Sequence, residues 1–220
     1  KCYENDERSQ GYKENDPMGG HDPYSSSKGC SELVTSAYRR SFLQEQGVGL
    51  ASARAGNVIG GGDWADDRLI PDILRSFEKN ESVVVRNPKA TRPWQHVLEP
   101  LSGYLVLIQK LYEDQKEYAE GWNFGPNERD VKPVDWILEE MIAKWPNSSW
   151  KLDKNSNPHE AIFLKLDITK AESKLNWKPI WGLSCTLEKI VIWHKAWLDK
   201  EDMQVVCLAE IKEYMRDMNK

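Results

Sequence analysis

No stretch of this 220-residue sequence approaches the roughly 18 consecutive apolar residues that span a bilayer, and no basic segment followed by an apolar run opens it. The expectation is a cytoplasmic protein without a membrane partner. Cysteine is scarce: Cys2, Cys30, Cys185 and Cys207 lie far apart and match no zinc spacing. They read as reduced thiols, with no metal to hold. Positive charge is not in excess either, the formal net charge being −5, so no general attraction to nucleic acid or an anionic membrane is expected. A phosphate-bearing ligand would have to meet a local basic cluster. Internal repeats and low-complexity tracts are absent. The first residue is Lys1, not methionine, and a polar loop follows at once, so the chain is expected to begin within a longer protein.

Hydrophobic residues make up 40% of the sequence, enough for one sizeable core or a domain and a half. Residues 1–23 carry Gly11, Pro17, Gly19, Gly20 and Pro23 among many charges and read as a loop leading to a functional element. From 24 to about 46 the apolar positions Leu33, Val34, Ala37, Tyr38 and Phe42 recur at helical steps, which predicts a helix with one buried face, ended by Gly47. The small, apolar run 49–59 predicts a buried parallel strand. Beyond it the pattern predicts a helix at 70–78, a strand at 82–86, a helix from 97 to about 112 and a strand at 121–125. A helix at 134–144 places Trp136, Ile137 and Met141 on one side. A strand near 161–164, a helix near 168–175 and one long terminal helix from about 187 complete the expectation. This alternation favours an α/β architecture. Most of the ten tryptophans fall in the second half, as core or sugar-facing surface.

Tyr24 and Lys28 are four residues apart at the start of the first helix, so both project from one face. A phenol titrates near 10, and an adjacent ammonium lowers that value, which lets a tyrosine act as acid or base nearer neutrality. The run Gly60-Gly61-Gly62 lacks the Gly-x-Gly-x-x-Gly spacing of a dinucleotide turn and is not followed at once by a helix. It reads as a tight loop that covers a ligand.

Tyr24-Ser25-Ser26-Ser27-Lys28, opening a helix after a Gly-His-Asp-Pro loop, resembles the YxxxK signature of short-chain dehydrogenases. Arg54-Ala55-Gly56-Asn57-Val58-Ile59-Gly60 resembles the Arg-x-x-Asn-Val-x-Gly segment of the extended, sugar-nucleotide-modifying branch. Arg68-Leu69-Ile70-Pro71 and Arg92-Pro93-Trp94-Gln95-His96-Val97 follow in the family's order. Lys1-Cys2-Tyr3-Glu4-Asn5, the Gly-Gly-His-Asp-Pro loop and Gly60-Gly61-Gly62-Asp63-Trp64 are similar to the CDP-glucose 4,6-dehydratases within that branch.

The resemblance implies part of a Rossmann-type parallel sheet with a smaller C-terminal substrate-binding α/β domain. Residues 1–112 would be the remaining half of the NAD-binding domain, with a substrate-binding segment at 60–92 interleaved, and 113–220 mainly the substrate domain. It implies conversion of CDP-glucose to its 4-keto-6-deoxy product with internal recycling of NAD, in the making of dideoxy sugars for lipopolysaccharide. Tyr24 would take the C4 hydroxyl proton, and Lys28 would bind the nicotinamide ribose. Both therefore count as catalytic and cofactor-binding. Family members carry an Asp-Glu pair for the elimination step, and Lys1 stands where the second acid belongs; it is retained as a catalytic candidate. Asn57, Arg68, Leu69, Arg86, Arg92 and His96 would meet the substrate, the arginines matching phosphate bidentately. Trp64, Trp94 and His96 would pack on ribose or base, a core role being the alternative for Trp94. His21 and His194 read as ordinary histidines. Dimerisation through the Tyr24 helix and its neighbour is implied, as a homodimer or a dimer of dimers. An epimerase or decarboxylase of the same branch, and a non-catalytic nucleotide-sugar-binding module, remain as alternatives.

Overall fold

The computed structural model describes residues 1–153 and 163–220. In chain order these form α1 (Pro23–Tyr38), continued by a π-helical turn over Arg39–Leu43, then β1 (Ser52–Ala55), β2 (Asn57–Ile59), α2 (Leu69–Glu78), β3 (Val83–Val85), β4 (Thr91–Arg92), β5 (Trp94–His96) and α3 (Leu98–Glu113). There follow α4 (Gln115–Tyr118), β6 (Gly121–Phe124), β7 (Lys132–Pro133), α5 (Val134–Lys144), β8 (Trp150–Leu152), α6 (Thr169–Leu175), α7 (Leu183–Leu198) and α8 (Met203–Met218). β1 pairs with β6, β2 with β5 and β3 with β8, all parallel, while β4 and β7 are antiparallel. Parallel pairs follow from the alternation of strands with helices, since each return needs a crossover. Of the strand expected near 161–164, residues 161 and 162 lie outside the described residues.

The chain forms two compact units that interleave along the sequence. One comprises residues 1–56, 99–125 and 163–179. Its core joins Leu107 of α3, Trp122 and Phe124 of β6, and Ile168, Ala171, Leu175 and Trp177 around α6, with a smaller cluster of Cys2, Tyr3 and Tyr12. Gly103 is glycine for a reason of space: a side chain there would overlap the Phe124 ring.

Helix α1 turns out differently from the expectation of a buried apolar face. Ser25 and Gly29 are its buried residues, whereas Leu33, Val34, Tyr38 and Phe42 are more than half exposed. Periodicity reports that two faces differ, not which one meets the unit's interior. Here the inward face uses small residues, because at Gly29 the loop backbone of Cys2 and Gly19 approaches within 3.3–3.4 Å of where a Cβ would stand.

The other unit comprises 57–98, 126–153 and 180–220 among the described residues. Ile70, Ile73, Leu74 and Phe77 form the buried stripe of α2, and Val134, Ile137, Leu138 and Met141 that of α5. They pack with Leu183, Leu187, Ile190 and Val191 of α7 and the inner residues of β2, β3 and β5. The single terminal helix expected from about 187 is two helices, α7 and α8. Nothing between them is glycine or proline; Lys200 adopts a left-handed φ of 61°, and Asp202 caps α8 by accepting from the amides of Gln204 and Val205.

Candidate active site

The first part of the site is built at the N-terminus of α1. Pro23 opens the helix, and Asp22 caps it, accepting from the amide of Ser25 at 2.9 Å and its hydroxyl at 2.6 Å. The Ser25 hydroxyl, and next its amide, hold the Asp22 carboxyl below the usual carboxylate range. Tyr24 lies in the first turn, 55% exposed, with Lys28 Nζ 5.3 Å from its ring centre. Lys1 Nζ is 3.9 Å from Asp22 Oδ2, which brings Lys1 to the same end of the helix as Tyr24 and Lys28. The loop before α1 needs glycine at position 20, where a side chain would overlap Ser25.

Behind this pair is a buried polar network that motif reading did not single out. Glu32 is four residues beyond Lys28, so the stripe begun by Tyr24 and Lys28 continues into the interior. Its Oε2 accepts from Arg54 Nη2 at 2.8 Å and from the Ser52 hydroxyl at 2.6 Å. Arg54 Nη1 in turn donates to the Tyr3 hydroxyl at 2.7 Å and to the Glu14 carbonyl at 2.9 Å, and Tyr3 donates to Asn123 Oδ1 at 2.6 Å. Burial opposes both charges, but the Arg54 and Ser52 contacts together outweigh it at Glu32, whose carboxyl is held low, and the Glu32 and Tyr3 contacts outweigh it at Arg54, whose pKa is raised. Burial pushes the Tyr3 phenol up, out of reach of any physiological titration. The signal that finds Glu32 is the i, i+4, i+8 spacing from Tyr24.

The second unit carries the remaining expected residues. Asn57 opens β2, its amide donating to the Pro93 carbonyl at 2.9 Å, and its register partner on β5 is Trp94. Arg92 lies on β4, where Nη1 donates to the Thr91 carbonyl at 2.9 Å. Arg68 is exposed at the N-cap of α2 and Leu69 is that helix's first residue. Asp67, the neighbour of Arg68, is 3.9 Å from Arg86 Nη2, so the segments bearing these two guanidinium groups meet. His96 is fully buried: Nδ1 accepts from the Leu98 amide at 3.3 Å, Nε2 stands 3.3 Å from Glu210, and the ring meets the Trp181 ring at 5.0 Å. Its position is that of a support for the end of β5, enclosed and not on a surface. Trp94 is buried in the core, while Trp64 is 46% exposed. His21 is exposed, and His194 is buried, bonded to Glu78 at 2.6 Å. Among the described residues no group of three His, Cys, Asp or Glu side chains is placed to hold a metal ion, and no helix is long and apolar enough to cross a membrane.

This scaffold is of the Rossmann type. It matches a dTDP-glucose 4,6-dehydratase from Bacillus anthracis, solved in complex with NAD, with a TM-score of 0.69 and 18% identity over 86% of this chain and 56% of that one. A UDP-glucuronic acid 4-epimerase from Bacillus cereus matches with a TM-score of 0.70 and 20% identity, over 88% of this chain and 58% of the other. In sequence, the chain is 59% identical to the CDP-glucose 4,6-dehydratase of Salmonella typhimurium over 98% of its own length. It spans 62% of that relative. The chain belongs to the GDP-mannose 4,6 dehydratase family, whose model matches residues 3–190.

Proposed function

We propose that this chain is the substrate-facing part of a nucleotide-sugar 4,6-dehydratase that acts on CDP-glucose with NAD as its cofactor. The observation that carries this reading is the exposed Tyr24–Lys28 pair at the capped start of α1, in a chain 59% identical to a CDP-glucose 4,6-dehydratase. Residues 1–112 are assigned to the cofactor domain, with 60–92 reaching the substrate, and 113–220 mainly to the substrate domain.

Tyr24 and Lys28 fit NAD in their donor chemistry: both are exposed on one stripe of α1, and an ammonium offers three donors to ribose hydroxyls. When bound, NAD would supply a two-electron acceptor for the C4 hydride and return that hydride to C6 after water has left, so that the sugar loses one water with no net oxidation. Tyr24 Oη takes the proton of the sugar C4 hydroxyl, with Lys28 beside it on the same stripe of α1. Once C4 is a ketone the C5 proton is acidic, and the C6 hydroxyl leaves as water. Lys1, tethered to Asp22 beside Tyr24, is assigned proton transfer in that elimination. Asn57, Arg68, Leu69, Arg86 and Arg92 are assigned to the nucleotide sugar, the guanidinium groups to its diphosphate, with His96 acting through β5.

The exposed apolar faces of α1 and of α3, where Leu101, Leu105, Ile108 and Tyr112 stand open, support a homodimer joined through these helices. The assigned setting is the cytoplasm, in the supply of CDP-linked deoxy sugars to a bacterial surface polysaccharide. Mass spectrometry of the products tests the activity, with the full-length subunit given CDP-glucose, dTDP-glucose and GDP-mannose in parallel. Loss of one water from CDP-glucose alone is expected. An unchanged mass with an altered sugar would make it an epimerase, and binding without turnover a non-catalytic module.

A further inference from the structure

We infer that Trp193 is a positioning residue for the loop at 60–67, and that Gly61 is glycine because the Trp193 indole occupies the space a side chain would need. This rests on the proposed function, in which both ends of that loop carry substrate-binding residues: Asn57 on β2 before it, Arg68 and Leu69 at the start of α2 after it. The loop's path therefore decides where one set of contacts stands relative to the other.

From Gly62 to Arg68 every residue is exposed, so the loop has no core of its own. Its fastening comes from α7. A Cβ at Gly61 would overlap Cγ and Cδ2 of Trp193 and lie 2.7 Å from Cδ1, so the backbone lies flat on the indole. At Gly62, whose φ is 78°, a Cβ would stand 3.3 Å from Cζ2 and Cη2 of the same ring. Only glycine takes that turn cheaply while lying this close to an aromatic face. Trp64 then folds back onto the helix, its ring 4.5 Å from that of Trp197, 5.7 Å from His194 and 6.2 Å from Trp193. Arg75 on α2 holds the far side, donating to the carbonyls of Trp64 and Ala65, both at 3.2 Å.

The floor itself does not yield. Trp193 is only 8% exposed and its Nε1 donates to Cys207 Sγ at 3.3 Å, and His194 is bonded to Glu78 at the end of α2. A loop already seated on such a floor loses little further freedom when a ligand arrives, which favours binding without touching the chemical step. Trp193 therefore acts on the substrate through Gly61 and Gly62 and needs no contact with it.

The test uses the full-length subunit carrying Gly61→Ala, Trp193→Ala or both, with hydrogen exchange of the peptide covering 60–68 measured beside steady-state kinetics. Gly61→Ala should speed exchange in that peptide and raise KM for the nucleotide sugar about tenfold, leaving kcat within about twofold. In the Trp193→Ala background, where the obstructing ring is gone, adding Gly61→Ala should change neither reading further. Should Trp193→Ala fail to fold, Trp193→Phe, which keeps a flat ring at the same place, should retain the KM of the parent. Unchanged exchange in Gly61→Ala overturns the latch. Faster exchange with an unaltered KM overturns the positioning role. A wild-type subunit that turns over none of the three nucleotide sugars, yet shows the exchange response, sinks the substrate assignment and leaves the latch standing.

Discussion

At the start of α1, Tyr24 and Lys28 rest on charge and hydrogen bonds: the Asp22 cap, the Glu32–Arg54 pair and the Tyr3–Asn123 bond behind it. The loop at 60–67 rests on indole rings instead, with Gly61 flat on Trp193 and Trp64 on Trp197. Polar anchoring answers to pH and to removal of a partner, because a buried charge left alone is costly. Aromatic anchoring answers to volume, because a packed ring tolerates neither an added nor a missing methyl. Tyr24 and Lys28 stand on the first kind of support and the loop at 60–67 on the second.

Four measurements would break or sharpen this comparison. The largest effect belongs to Tyr24→Phe in the full-length subunit: kcat should fall by about three orders of magnitude while the melting temperature is unchanged, since the ring is exposed and only the hydroxyl is lost. Next comes Glu32→Ala, which strands Arg54 with 9% side-chain exposure; a loss of about 3 kcal/mol in chemical denaturation is expected. A loss within 0.5 kcal/mol of zero, roughly what a plain surface change gives, would mean that the polar network does not hold α1.

The pH response follows in size. Glu32 has its carboxyl depressed below the ordinary 4.5 on folding, so its contribution is present above that value and lost as pH falls through the folded pKa. Between about pH 5 and about pH 3 the melting temperature of the parent should drop more steeply than that of Glu32→Gln, which has nothing to titrate there. Parallel curves would assign acid sensitivity elsewhere. The smallest effect on the fold is expected from Ala37→Arg on the open side of α1. It should leave the melting of the isolated subunit nearly unchanged but turn dimers into monomers in light scattering, and an intact dimer would remove α1 from the interface.

Much of the fold is legible from periodicity. The stripes of α2 and α5 match the expected elements to within a residue, because each helix has one face against the interior and strong turn signals at its ends. The run expected as one strand is interrupted at Gly56, its first half pairing with β6 and its second with β5. The two-residue strands β4 and β7 carry too little pattern to be seen at all. Tyr24, Lys28, Asn57, Arg68 and Arg92 stand out by motif. Glu32, Tyr3 and Asn123 were missed because their partners lie 22, 51 and 120 positions away. The same distance hides Trp193 from Gly61.

What the sequence determined alone is the alternation of strands and helices, the Tyr24–Lys28 pair on one helical stripe and the glycine run that must turn tightly. These depend on residues within a few turns of one another, whose spacing is their geometry. Only the tertiary structure decided that α1 buries Ser25 and Gly29 and leaves Leu33 and Val34 open, that Arg54 is spent on Glu32 inside the unit, and that an indole on α7 dictates glycine at 61. Each of these is a contact between distant segments, and which segments meet is set by close packing of the whole unit, a quantity no local pattern carries.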